Sequence, residues 1–309
     1  MSHLIFCSLI DDLVENLPET IESQPKNINL VIDNGAFNGI YLYGVLLYLK
    51  KLESLNRIII KKISGSSIGA ILAFFYFIDE LEHTQMVFTK MRECWKEKFD
   101  LNDWKNVIKN LIETKLDDDK IKNNLNEKLF INYFDTKNCK EIIKSTFESK
   151  EELFDTLYKT SFIPFLMNGE LAYDNCIDGC NPMLFDDRTL QDNKCIFISL
   201  INPKIILNSI KISNDKNISY RAIEGINETH KFFLGEKQDL CSYLNDWSFK
   251  DLFIFRIRQI IYLGVIYLIH ILIIIKSFIP LSLYDSPIWN FISDIVYKIY
   301  KDFLIKSFL

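Results

Sequence analysis

Two consecutive strand-turn-helix units near the N-terminus dominate the choice of fold. INLVID (28–33) is a continuous apolar run of strand length that breaks at Asn34-Gly35. IYLYGVLLYLKKLES (40–54) follows, and its apolar residues and two closing lysines suit a helix. The pattern then repeats: RIIIKKIS (57–64) is β-branched, GSSIG (65–69) is the turn, and AILAFFYFIDEL (70–81) is almost wholly apolar. A helix apolar on all sides must be buried, and strands joined through helices run parallel. The two units therefore imply an α/β core with a mainly parallel central sheet.

The chain has 309 residues and is 49% hydrophobic, enough for one large domain plus an appendage. Residues 82–160 are richer in charge and read as covering helices. In DWKNVIKNLIETKL, for example, Trp104, Ile108, Leu111 and Ile112 recur near helical spacing, and LDDDK (116–120) reads as a solvated turn. CIFISL (195–200) and KIILNSIKIS (204–213) are strand-like runs that follow the turn-rich AYDNCIDGCNP (172–182). A net charge of −5, with Lys and Arg mixed among Asp and Glu, lacks the basic surface a phosphate backbone needs and excludes nucleic acid as a partner. Seven cysteines (7, 94, 139, 176, 180, 195 and 241) form no CxxC pair, which argues against a disulfide framework and a zinc site and for reduced thiols facing the cytosol. The start, MSHLIFCSLIDDLVENLPE, lacks a basic leader and does not read as a secretory signal.

Gly65-Ser66-Ser67-Ile68-Gly69 fits GxSxG and lies between a strand and a helix, as a nucleophile elbow requires. The glycines have a physical role: a sharp turn strains the backbone of the central serine, and small flanking residues let neighbouring backbone pass. The helix beyond points its positive end at Ser67 and at any oxyanion formed there. A serine hydroxyl needs a base. Of four histidines, only His230, in NETHKFF, fits the chain order Ser, Asp, His. A partly desolvated carboxylate can serve instead, and Asp178 in CIDGCNP stands at a turn that could hold it against the elbow.

Together these pieces resemble the patatin-like phospholipases, whose motifs are DGGGxRG after the first strand, GxSxG, and a DGG or DGA turn carrying the aspartate of a Ser-Asp dyad. The corresponding residues are Asp33-Asn34-Gly35-Ala36-Phe37-Asn38-Gly39, then Gly65 to Gly69 with Ala70, then Asp178-Gly179-Cys180. The helix after the first loop and SFIPFL (161–166) also look familial, so the resemblance covers roughly residues 28–200. It implies a three-layer α/β/α catalytic domain over 28–250, preceded by an extension (1–27) and followed by a helical tail (251–309). It implies Ser67 as nucleophile, Asp178 as base and the Gly35 and Ala36 amides as oxyanion donors, with no metal or cofactor. Asn34, Phe37, Asn38, Gly39, Gly65, Gly69, Gly179 and Cys180 fall in supporting motif positions. The substrate class would be a glycerophospholipid or related lipid ester. The departures are Asn34 and Ala36 for loop glycines, Asn38 for the basic residue and Cys180 for the last glycine. They leave open a weakly active or silent membrane-binding descendant.

After about residue 250 the character changes. IIYLGVIYLIHILIII (260–275) carries no acid or base. As a helix it reaches about 24 Å, short of a hydrocarbon core of roughly 30 Å. It reads as a tilted or in-plane anchor, with a full span and a buried core helix as the other readings. IWNFISDIVYKIYKDFLIKSFL (288–309) spaces Phe291, Ile295, Ile299 and Phe303 along one face, which suits a helix at the interface. The expected location is a membrane surface with the main domain in the cytosol, a host membrane if the chain is viral, as the bias to Ile, Lys, Asn and Phe would suit.

Overall fold

The two βα units form the centre of the sheet. Strand β1 (Lys26–Ile32) leads through a tight loop into helix α2 (Gly39–Ser54), and β2 (Ile58–Gly65) leads through the GSSIG turn into α3 (Ile68–Phe77). The computed structural model describes residues 2–17, 26–98, 101–185, 194–202, 204–209 and 215–278, with a few positions between 286 and 298. β1 and β2 pair in parallel from Lys26 opposite Ile58 to Ile32 opposite Gly65, with one register shift between Ile28 and Asn29.

Among the described residues, seven strands form one sheet in the order β4-β3-β2-β1-β6-β7, with β5 also pairing β3. The remaining strands are β3 (Leu129–Asp135), β4 (Lys140–Lys144), β5 (Cys176–Asp178), β6 (Lys194–Ile198) and β7 (Cys241–Tyr243). The expectation of a mainly parallel sheet holds only for the centre: β3, β2, β1 and β6 run parallel, whereas β4, β5 and β7 pair antiparallel. For β4 the reason is connection length. Parallel neighbours need a crossover, while β4 follows β3 through a short turn over 136–139, which permits only the antiparallel hairpin. The fold is α/β with a mixed sheet.

One face of the sheet is covered by helices. Ile28, Leu30 and Ile32 of β1 join a core with α2, α3, α7 (Lys150–Thr160) and α8 (Asp215–Leu234). α4 (Thr84–Lys98) and α5 (Trp104–Lys115) extend this layer, and the predicted stripe Trp104, Ile108, Leu111 and Ile112 is buried. The other face is thinner: Val31, Cys195 and Phe197 pack against Phe185, Leu244, Trp247 and Phe255, from coil and the first turns of α9 (Phe249–Phe278). Alternation along β1 sorts side chains between these cores.

Three other sequence readings change, and the N-terminal extension takes a definite form. The stretch 82–160 holds β3 and β4 as well as helices, because LFINYFD alternates against the sheet despite its charged surroundings. In LDDDK, Asp117 caps α6 (Asp118–Lys120), its Oδ1 accepting the Lys120 amide at 2.8 Å. In KIILNSIKIS, Ile206–Ser209 form a 3₁₀ turn, and residues 210–213 lie outside the described residues. The N-terminal stretch forms α1 (Ser2–Glu15), and its Phe6, Ile10 and Val14 belong to the main core. Most of the expected last helix, 288–309, lies outside the described residues. None of the seven cysteines is in a disulfide.

α2 and α8 touch backbone to backbone at two glycines. A Cβ on Gly44 would meet the Ala222 carbonyl, and one on Gly225 would meet the Tyr41 carbonyl. Overpacking such a contact costs about 1–3 kcal/mol. Gly44→Ala and Gly225→Ala are each expected to lower the unfolding free energy by that amount, read as a lower urea midpoint at unchanged m-value. Gly264→Ala, which faces open space on α9, serves as the control and should leave it unchanged or slightly raised.

Candidate active site

β3 sets the geometry of the site. Its first half pairs with the end of β2, placing Ile131 opposite Gly65, and its second half pairs with β5, placing Tyr133 opposite Asp178. Two segments more than a hundred positions apart thus lie end to end along one strand. Ser67 follows β2 directly and Asp178 ends β5, so both come to the junction.

Ser67 sits at φ 54°, ψ −131°, a strained backbone for a residue with a side chain, and caps the N-terminus of α3. The flanking glycines are required by space: a Cβ on Gly65 would lie 2.8 Å from the Ala70 amide nitrogen, and one on Gly69 would lie 2.8 Å from the Asp33 carbonyl oxygen. The Ser67 amide donates to Thr160 Oγ1 at 2.9 Å, and that hydroxyl donates to the Asn132 carbonyl at 2.6 Å. Thr160 therefore ties the elbow to β3, between the residues that pair with β2 and β5.

The Ser67 side chain and the Asp178 carboxylate line the same cavity, and the serine is near enough to lower the pKa of the carboxyl. Asp178 is held by its own amide, which donates to the Phe162 carbonyl at 3.0 Å, and by the Cys180 amide, which donates to its Oδ1 at 2.9 Å. Burial pushes its pKa up to about 6, against the opposing effects of Ser67 and of the Cys180 amide. Cys180, in place of a glycine, takes φ 59°. Gly179 is fixed by close approach, since a Cβ there would lie 2.6 Å from the Asn132 carbonyl oxygen.

The first loop closes the other side. A Cβ on Gly35 would meet Leu200 Cβ at 2.5 Å, and Ala36 occupies the left-handed region at φ 44°. Asn38 is fully buried and its Nδ2 donates to the Leu200 and Ile205 carbonyls at 2.8 and 2.9 Å. Where the sequence suggests only a lost cation, the amide fastens the loop to the end of β6. Phe37 and Gly39 pack beneath it, with a Gly39 Cβ meeting Ile68. Asn34 lines the cavity above.

Two cavities meet at Ser67, Ala36, Ile163 and Ser209. The first, about 200 Å³, is apolar and runs between Ile71, Met91, Trp95, Leu101, Trp104 and Met167. The second, about 270 Å³, lies between Asp178 and the α9 residues Tyr262, Val265, Ile266 and Ile269.

His230 lines neither cavity. Its Nδ1 lies 2.9 Å from the Tyr48 hydroxyl, its ring stands edge-on to Tyr48, and burial lowers its pKa. Among the described residues, Glu80, Glu82 and His83 alone bring three metal-ligand atoms together, and Lys115 already pairs with Glu80 at 2.5 Å.

Thr160 and Asn132 were not legible from sequence, because nothing marks a hydroxyl that bridges two backbone groups. Arg258 was legible in principle: a cation beside an apolar run needs a carboxylate, and it has one in Asp33, at 2.7 Å. The chain matches no protein-family model and no curated protein.

A carboxyl whose pKa rises on folding binds its proton more tightly in the folded state. Its contribution to stability is present below the unfolded value near 4 and is lost as pH climbs through about 6. Asp178→Asn removes this loss while keeping an acceptor for the Cys180 amide. The variant should melt above the parent at pH 8, and the difference should vanish by pH 4 in thermal scans.

Proposed function

We propose that the chain is a serine lipid acyl hydrolase that cleaves ester bonds of glycerophospholipids or related lipids through a Ser67-Asp178 dyad. The observation that carries this reading is the convergence, in one cavity, of a strained strand-to-helix serine and a buried carboxylate whose pKa is raised to about 6. Such a carboxylate is ionised at neutral pH and basic enough to take a proton.

In the proposed reaction, Ser67 Oγ attacks the ester carbonyl carbon as its proton passes to Asp178. The amides of Gly35 and Ala36 and the N-terminus of α3 hold the oxyanion, and one such donor is worth about 3 kcal/mol. The tetrahedral intermediate expels the alcohol, which takes the proton from Asp178 and leaves an acyl-enzyme. Water, deprotonated by Asp178, then attacks the acyl carbon, and Ser67 recovers its proton as the fatty acid departs. The apolar cavity suits the acyl chain, since its wall is almost wholly hydrocarbon.

The tail supports a lipid substrate. α9 has 30 residues, about 45 Å at helical rise, and is apolar and long enough to cross a membrane by length and composition. It packs on the domain along one stripe, Phe255, Arg258, Tyr262, Ile266 and Ile269, while Phe253, Ile257, Ile261, Leu268 and Ile275 are exposed. A helix seated on its own domain with its outer face apolar fits an anchor lying in the membrane plane, with the catalytic domain on the cytosolic side. The second cavity opens beside this helix, so a lipid drawn from the bilayer would reach Ser67 along α9.

Fatty-acid release from phosphatidylcholine vesicles tests the reading. Ser67→Ala and Asp178→Asn should each lower turnover at least about a thousand-fold with vesicle binding retained, and His230→Ala should leave it within about two-fold. Parent kcat/KM should rise as pH passes about 6, where Asp178 ionises. A parent that binds vesicles and releases nothing would make the chain a non-catalytic membrane-binding protein. Turnover lost in His230→Ala but kept in Asp178→Asn would make it a Ser-His-Asp esterase.

A further inference from the structure

The helix that faces outward with apolar residues also reaches into the site with its most polar ones. Arg258 Nη1 lies 2.7 Å from Asp33 Oδ2, and Asp33 is wholly buried. The guanidinium is boxed by two rings, 5.0 Å from the Phe255 centroid and 5.8 Å from that of Phe197. One turn on, Tyr262 lines the same cavity as Asn34. Asp33 immediately precedes the Asn34-Gly35-Ala36 turn, and among the described residues its Oδ1 has no hydrogen-bond partner, so Arg258 at Oδ2 is its principal stabilising contact. Its carbonyl oxygen is the atom that a Cβ on Gly69, in the first turn of α3, would strike.

From this cluster we infer that Arg258 is a positioning residue for the proposed hydrolysis, holding the Asp33–Ala36 loop and its amides against Ser67 through an ion pair with Asp33. The inference rests on the reading of Ser67 as nucleophile. A buried carboxylate without a cation is costly to keep charged, and desolvation already pushes Asp33 up to about 6 with Arg258 opposing it. Removing the guanidinium leaves that carboxyl to protonate and frees the start of the loop from its tie to α9. The apolar tail is on this account part of the active site as well as the anchor.

The test compares Arg258→Met, Arg258→Lys and the charge-neutral pair Asp33→Asn/Arg258→Met in the full chain. A water-soluble short-chain ester separates the effect from membrane docking. Amide hydrogen exchange over residues 34–38 provides a readout independent of turnover. In Arg258→Met and in the pair, kcat should fall at least about ten-fold with KM within about two-fold, and exchange at 34–38 should quicken while β1 and α2 stay protected. Arg258→Lys should lie between parent and Arg258→Met. Because the pair buries no unmatched charge, it keeps the test decisive if the single methionine variant does not fold. Exchange at 34–38 unchanged from the parent, or loss of vesicle binding with ester turnover intact, would overturn the role. A parent that turns over no ester would remove the hydrolase reading, and the exchange result would still decide whether Arg258 holds the loop.

Discussion

The structure depends on one strand edge shared by two partners. β3 pairs with β2 as far as Ile131 and with β5 from Tyr133, so the strand that delivers Ser67 and the strand that delivers Asp178 abut. Asn132, between those residues, gives its carbonyl to Thr160, whose hydroxyl in turn receives the Ser67 amide. Gly179 must be glycine because that same carbonyl stands where its side chain would be. The placement of Ser67 and of Asp178 is thus fixed from one strand. The raised pKa of Asp178 follows from the same packing, because a carboxylate at a strand junction is cut off from water.

The central sheet and the elbow were legible in the sequence because they are local. A β-branched run, a glycine-bounded turn and an apolar helix each announce themselves within a dozen residues, and Ser67 inherits its strained conformation from that context. Asp178 was legible only through motif order, since IDG alone describes many turns. What could not be read was non-local pairing. LFINYFD lies in a charged stretch that suggested helices, and its role emerges only when two other strands line its edge. KIILNSIKIS has strand composition, but its start closes the loop that Asn38 fastens, so Ile206–Ser209 turn instead. Asn38 itself misleads when read as a lost charge, because a primary amide can satisfy two carbonyls in a space without water.

α9 joins two requirements that the sequence suggested were separate. Its composition is that of a membrane-seeking helix, and most of its surface is apolar and exposed. Its inner stripe nevertheless supplies Phe255 to one core, Ile266 to the other, and Tyr262 to the cavity beside Asp178. Arg258 could be tolerated on such a helix only with a buried partner, and Asp33 provides it next to the loop proposed to bind the oxyanion. On the proposed reading, one helix would serve both as anchor and as support for the loop beside Ser67.

The central claim is that Ser67 is an activated nucleophile. The most direct measurement is mass-spectrometric mapping of the adduct formed when the folded chain meets a fluorophosphonate at neutral pH. The account predicts one phosphonyl group, on the peptide containing Ser67, formed far more slowly when Asp178 is replaced by asparagine. No adduct, or an adduct on another serine with Ser67 unmodified, would contradict it.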